Sequence, residues 1–124
     1  MQKLESKWRT EILQHFRKTV PWGFIWAHDA HFRHGFPDLT MIYHPGKVIH
    51  AELKVRRQEQ AHLLQGLEPR QEITLKQISD SGGRALVFVL NPNSRNVAIV
   101  DMKTNSPRWR TREEFEQDLT AGTF

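Results

Sequence analysis

Asp38, directly after Pro37, and the triplet Glu52-Leu53-Lys54 are the residues whose types and spacing could do chemistry, with 13 residues, 39 to 51, between the two acids. Two carboxylates held close form a hard oxygen site suited to Mg²⁺, which prefers one or two carboxylates and keeps several of its waters. An ion so held can acidify a water in its shell, offset charge on a pentavalent phosphate and orient the leaving oxygen. Lys54, two residues beyond Glu52, could hold the attacking water and offset phosphate charge. The pattern is short, and spacing alone leaves a second reading open, in which Asp38 ends a loop and Glu52 and Lys54 form a solvated strand face.

The elements that must position these groups are written in the hydrophobic periodicity. Leu39 to Tyr43 and Val48 to Val55 flank a His44-Pro45-Gly46-Lys47 turn and read as a hairpin. Period-two alternation puts His50, Glu52 and Lys54 on one face of their strand and Ile49, Ala51 and Leu53 on the other. If the turn is centred on Pro45-Gly46, Tyr43 pairs with Val48 and Asp38 falls opposite Leu53, on the wrong face for Glu52; a bulge or a different loop length would restore the match. Upstream, Trp8, Ile12, Leu13 and Phe16 recur at helical spacing between Lys3 and Lys18, and Val20-Pro21 ends the helix. Glu5 projects into that apolar stripe, close to the bearing of Phe16, whereas Glu11 lies well to one side. A carboxylate aimed at a core calls for a partner or a cation, unless a frayed first turn lets it reach water.

Phe24 to Ala27 reads as a short strand, and His28 to Gly35 as a polar, His-rich stretch. Residues 56 to 68 read as a charged loop or short helix. A helix starts at Pro69, carries Leu75 and Ile78 on one face and stops at Gly82-Gly83. Strands at Ala85 to Leu90 and Val97 to Met102 flank Asn91-Pro92-Asn93, and Thr111 with Glu114 has capping-box spacing for a last helix to Leu119. The order α, β, β, β, α, β, β, α predicts an α/β fold, a mixed β-sheet core flanked by helices. At 124 residues the chain is expected to form one domain, 1–124.

Eighteen Lys and Arg against 14 Asp and Glu give a net charge of +4, a bias toward polyanionic partners such as nucleic acid. The absence of Cys excludes disulfides and thiolate catalysis and suits an intracellular protein. No apolar stretch approaches the roughly 20 residues a membrane span needs, and none follows Met1 as a signal peptide would require.

Taken in order, Gly35-Phe36-Pro37-Asp38-Leu39, the hairpin, Ala51-Glu52-Leu53-Lys54, Leu67-Glu68-Pro69-Arg70-Gln71 before a helix, and Gly82-Gly83 before an apolar strand resemble the PD-(D/E)xK nuclease superfamily. Within it the chain is most similar to the VRR-NUC domain family, including its small stand-alone phage-type members, over Glu5 to about Leu90. The resemblance implies a restriction-endonuclease-like fold and a divalent ion, Mg²⁺ with Mn²⁺ as substitute. Its ligands would be Asp38, Glu52, the Leu53 carbonyl and Glu5, with Glu11 in reserve for Glu5. Lys54 would be the catalytic lysine, and Gln71 would match the inward-pointing Gln at the start of the later helix. It also implies an intracellular, phage- or prokaryote-encoded endonuclease acting on DNA. Stand-alone relatives resemble dimeric resolvases of four-way junctions, so branched DNA and a homodimer are the expected partners. The chain departs from the family pattern in His28-Asp29-Ala30-His31-Phe32-Arg33-His34 before the Pro37-Asp38 pair and in a long loop from Arg56 to Glu68. From Asn91 onward no motif carries over.

Arg33, Arg56 and Arg57 would place positive charge on both rims of the site, where phosphate neutralisation supplies affinity and salt sensitivity. His28, His31 and His34, spaced in threes without Cys, read as DNA-facing or exposed in preference to a zinc cluster. Trp109 reads as packing, with base stacking as the other possibility. The expected activity is metal-dependent hydrolysis of DNA phosphodiesters, on Holliday junctions or other branched DNA. The competing expectations are a nuclease without junction preference and a basic DNA-binding module without catalysis.

Overall fold

The computed structural model describes residues 2–28, 35–57, 64 and 67–124; Arg33, His31, His34 and most of the expected 56–68 loop lie outside them. Helix α1 (Gln2–Thr19) buries Trp8, Ile12 and Phe16 of the predicted stripe, with its fourth member, Leu13, only partly buried against them. The chain leaves the helix at Val20, whose N–H still reaches the Phe16 carbonyl at 2.8 Å, and turns through Pro21 into β1 (Phe24–Ala27). Strands β2 (Leu39–Tyr43) and β3 (Lys47–Val55) form the hairpin, and α2 (Pro69–Asp80) crosses over to β4 (Arg84–Leu90). Strands β5 (Val97–Asp101) and β6 (Pro107–Arg110) and helix α3 (Arg112–Ala121) complete the order. Among the described residues the six strands make one mixed sheet in sequence order, antiparallel except for the parallel pair β3 and β4.

Alternation divides the sheet between two apolar layers. Leu39, Met41, Ile49, Ala51, Leu53, Leu86, Phe88, Val97 and Ile99 face α1 and α3, where Phe88 meets Phe115 and Phe124 at ring distances of 5.0 and 5.1 Å. Ala85, Val87, Val89, Ala98 and Val100 face the other way, where Leu75 and Ile78 of α2 pack on them. The mixed α/β sheet flanked by helices is the predicted fold class.

The structure corrects two local expectations. Tyr43 pairs with Lys47, not Val48, so three residues, His44, Pro45 and Gly46, make the connection. Gly46, at φ 140°, takes a conformation that suits glycine and donates its N–H to the Tyr43 carbonyl at 2.7 Å. This one-residue change in register moves Asp38 onto the face of Glu52. The second correction is β6, which makes three strands, not two, between α2 and α3. Its Pro-Arg-Trp-Arg sequence has no apolar alternation to announce it, because a sheet edge tolerates a starting proline and exposed arginines. Arg110 and Arg108 hold it to α3 through Asp118, at 2.8 and 3.6 Å. The capping box of α3 is as expected, with the Glu114 N–H on Thr111 Oγ1 at 3.2 Å and the Thr111 N–H on Glu114 Oε1 at 2.9 Å.

Candidate active site

Glu52 is a carboxylate in the middle of a six-stranded sheet, only 2% exposed. Alternation along β3 turns it away from the α1 and α3 layer and toward the N-terminus of α2. There the Gln71 amide donates to its Oε2 at 2.8 Å, and Lys54, one alternate position further, stands 3.6 Å from the same oxygen. The Oε1 atom is buried and finds no donor among the described residues. Burial, and then the charge of Asp38 beside it, push the Glu52 carboxyl from an ordinary value of 4.5 up to about 8, against the pull of Lys54. An orphaned carboxylate oxygen facing a second carboxylate is a position that a divalent cation fits.

Asp38 reaches this place because the Leu39–Ala51 pairing, extended by one residue, sets it across from Glu52. Its backbone is fixed by the His28 N–H on its carbonyl at 2.8 Å, and its Oδ2 accepts the Leu53 N–H at 2.9 Å. In an extended strand the N–H and C=O of one residue point toward the same neighbour. The Leu53 carbonyl therefore opens on the Asp38 side, where β2 has already ended. Gly35 allows the approach of the Pro37-Asp38 segment to α2: its φ is +86°, and a Cβ there would stand 2.9 Å from the Cβ of Arg70.

Gln71 is oriented from two sides. Its Oε1 accepts the Glu68 N–H at 3.0 Å, which caps α2 and leaves the amide nitrogen aimed at Glu52. Beyond Glu52 on the same sheet face, His28 Nε2 meets Thr40 Oγ1 at 2.6 Å, and Thr40 Oγ1 meets His50 Nδ1 at 2.9 Å. Burial and the neighbouring His28 lower the His50 pKa. Thr40 was not singled out by its sequence, although alternation along β2 puts it on the face of Asp38.

The structure thus brings Asp38, Glu52, the Leu53 main chain, Lys54 and Gln71 together. It does not bring Glu5 to them: Glu5 is half-exposed on α1, and among the described residues no three His, Cys, Asp or Glu side chains gather as a metal cage. Glu11 lies toward α3, 3.7 Å from Arg112. On the rim, Arg57 is exposed, while Arg56 donates to its neighbour's carbonyl, that of Val55, at 3.0 Å. No described helix is long and apolar enough to cross a membrane.

No family model and no curated protein matches the chain. Among solved structures the fold is similar to that of Hjc, a Holliday junction resolvase from the archaeal hyperthermophile Archaeoglobus fulgidus. The TM-score is 0.52 over 98% of this chain and 99% of that one, at 11% sequence identity. At that identity the likeness is one of architecture, and the architecture is restriction-endonuclease-like, a mixed sheet flanked by helices.

Proposed function

We propose that this chain, acting as one domain over residues 1–124, is a Mg²⁺-dependent endodeoxyribonuclease of the PD-(D/E)xK type, within it nearest to the VRR-NUC family. The observation that carries the reading is the pair Asp38 and Glu52, adjacent across β2 and β3 on one side of the sheet, with Glu52 buried, Lys54 3.6 Å from it and one Glu52 oxygen without a donor among the described residues. Asp38, Glu52 and the Leu53 carbonyl would hold Mg²⁺ or Mn²⁺. The ion would supply Lewis acidity and charge neutralisation at the scissile phosphate.

The chain's own groups do the rest. Lys54 holds the attacking water by its ammonium and offsets phosphate charge, while Gln71 fixes the Glu52 carboxylate so that Oε1 stays turned to the site. Arg56 and Arg57, just beyond Lys54 in sequence, and Arg33, outside the described residues, would contact the sugar-phosphate backbone. The architecture shared with a junction resolvase supports branched DNA, Holliday junctions included, as the substrate, cut by a homodimer whose twofold axis relates two sites. Labelled four-way junction, flap and linear duplex, incubated with Mg²⁺, Mn²⁺ or EDTA, test the reading. Junction and flap should be cut with either metal and spared in EDTA, and Asp38→Ala and Lys54→Ala should each reduce cutting. Cleavage of all three substrates at equal rates would make this a nuclease without junction preference. DNA binding with no cleavage under any metal would leave only a binding module.

A further inference from the structure

We propose that the outer face of β1, carrying Phe24 and Trp26, stacks on the bases of an unpaired DNA strand leading into the site; this rests on the nuclease reading above. Cross-strand pairing sets Phe24 beside Ile42 and Val48, and Trp26 beside Thr40 and His50. The next row holds Asp38 and Glu52. Ile25, between the two aromatics, is buried on the opposite face, so Phe24 and Trp26 lie on the side of the sheet that bears the acids. Helix α2 packs over β4 and β5, away from β1, and Phe24 is 54% exposed and Trp26 60%.

The rings form a continuous series toward the acids. Phe24 meets Trp26 at 6.1 Å, Trp26 lies nearly parallel to His28 at 16° and 6.0 Å, and Phe36 bridges His28 and His50 at 4.7 and 5.5 Å. Each two-residue step along a strand covers about 7 Å, so Trp26 stands roughly one step from the Glu52 row and Phe24 roughly two. A strand entering the site would pass over both within a few nucleotides.

Several features select nucleobases as the occupant. The protein is cationic at +4, as a polyanion's partner should be. The exposed π-faces suit any base, and stacking needs no dry surround. Thr40, His28 and His50 interleave the rings with polar groups. The exposed parts of the rings amount to a few hundred Å², against the roughly 800 Å² per partner that a stable dimer buries.

The test uses full-length Asp38→Ala protein in EDTA, so that binding is read without cutting. Fluorescence anisotropy compares a flap with unpaired bases and a blunt linear duplex. Trp26→Thr, which keeps strand propensity on an exposed position, should weaken flap binding about tenfold and duplex binding less than twofold, and Phe24→Thr should act in the same direction. Trp26→Phe should restore most of the affinity, with circular dichroism unchanged throughout. Equal losses on both DNAs, or none, would overturn the proposal. So would conversion of a dimer to monomers by Trp26→Thr in sedimentation, which would give the face to a second copy. Whether the wild-type chain cuts DNA at all is measured separately, so the nuclease reading can fail while stacking stands.

Discussion

Glu52 is the residue whose surroundings disagree most with its charge. It lies buried beside Asp38, and its proton is held up to about 8, against 4.5 ordinarily. The folded chain binds that proton more tightly than the unfolded chain. Stability from this group is therefore complete below about pH 4.5 and is lost progressively as the pH rises toward 8. The loss is on the order of a few kcal/mol. Thermal melts of the metal-free protein should show Tm falling across that window. Glu52→Gln should flatten the fall, stabilise the protein at pH 8 and abolish cleavage. Added Mg²⁺ should raise the wild-type Tm most at the alkaline end and leave Glu52→Gln unmoved. A wild-type Tm that rises from pH 5 to 8 would remove the buried, protonated carboxyl from the account. At this scale much was legible: Pro37-Asp38, Glu52-Leu53-Lys54 and Gln71 are a readable series. Thr40, between His28 and His50, was not, because one hydroxyl in a strand has no spacing to mark it.

At the scale of elements, the sequence pattern placed the helices and five strands but not the register that decides the chemistry. Tyr43 pairs with Lys47 because the turn takes three residues, and a turn's length is set by backbone dihedrals at Gly46 that composition does not reveal. The edge strand β6 escaped for a related reason: Arg108 and Arg110 are held by Asp118 and not by apolar burial. Helix α2 shows how an element aims a side chain. The Gln71 oxygen closes the helix cap on Glu68 while its nitrogen serves Glu52. Gln71→Glu keeps an acceptor for the cap but sets a carboxylate against Glu52. Gln71→Ala loses both bonds and should destabilise by about 1 kcal/mol. The expected pattern is that both variants lose most of kcat, with Gln71→Glu recovering activity as the pH falls and Gln71→Ala not recovering. Equal, pH-independent rates for the two would mean that Gln71 acts only as a cap.

For the whole molecule, the fold separates what stabilises from what binds. One sheet face is sealed by α1 and α3, with Phe88 buried among Phe115 and Phe124, while the acids open on the other face beside α2. Arg56 and Arg57 follow directly on β3, past Lys54, where a phosphate backbone crossing the site would meet them. Variants on the two sides should therefore fail in different ways. Phe88→Ala opens a cavity in the sealed layer and should cost about 3–5 kcal/mol, lowering Tm sharply. Below its melting point it should bind DNA with the wild-type salt dependence, because every cationic group on the rim is still in place. Arg57→Ala should leave Tm within a degree or two. If Arg57 contacts one phosphate, as proposed, its removal should weaken binding on every DNA and make the slope of log K against log salt shallower by about 0.9. Arg56→Ala should do the same, with a modest loss of stability as well, since its guanidinium also holds the Val55 carbonyl. Slopes measured between roughly 50 and 200 mM salt on one junction decide the point. If neither arginine variant alters the slope, the positive rim lies elsewhere on the surface, and the path of DNA across β3 must be redrawn.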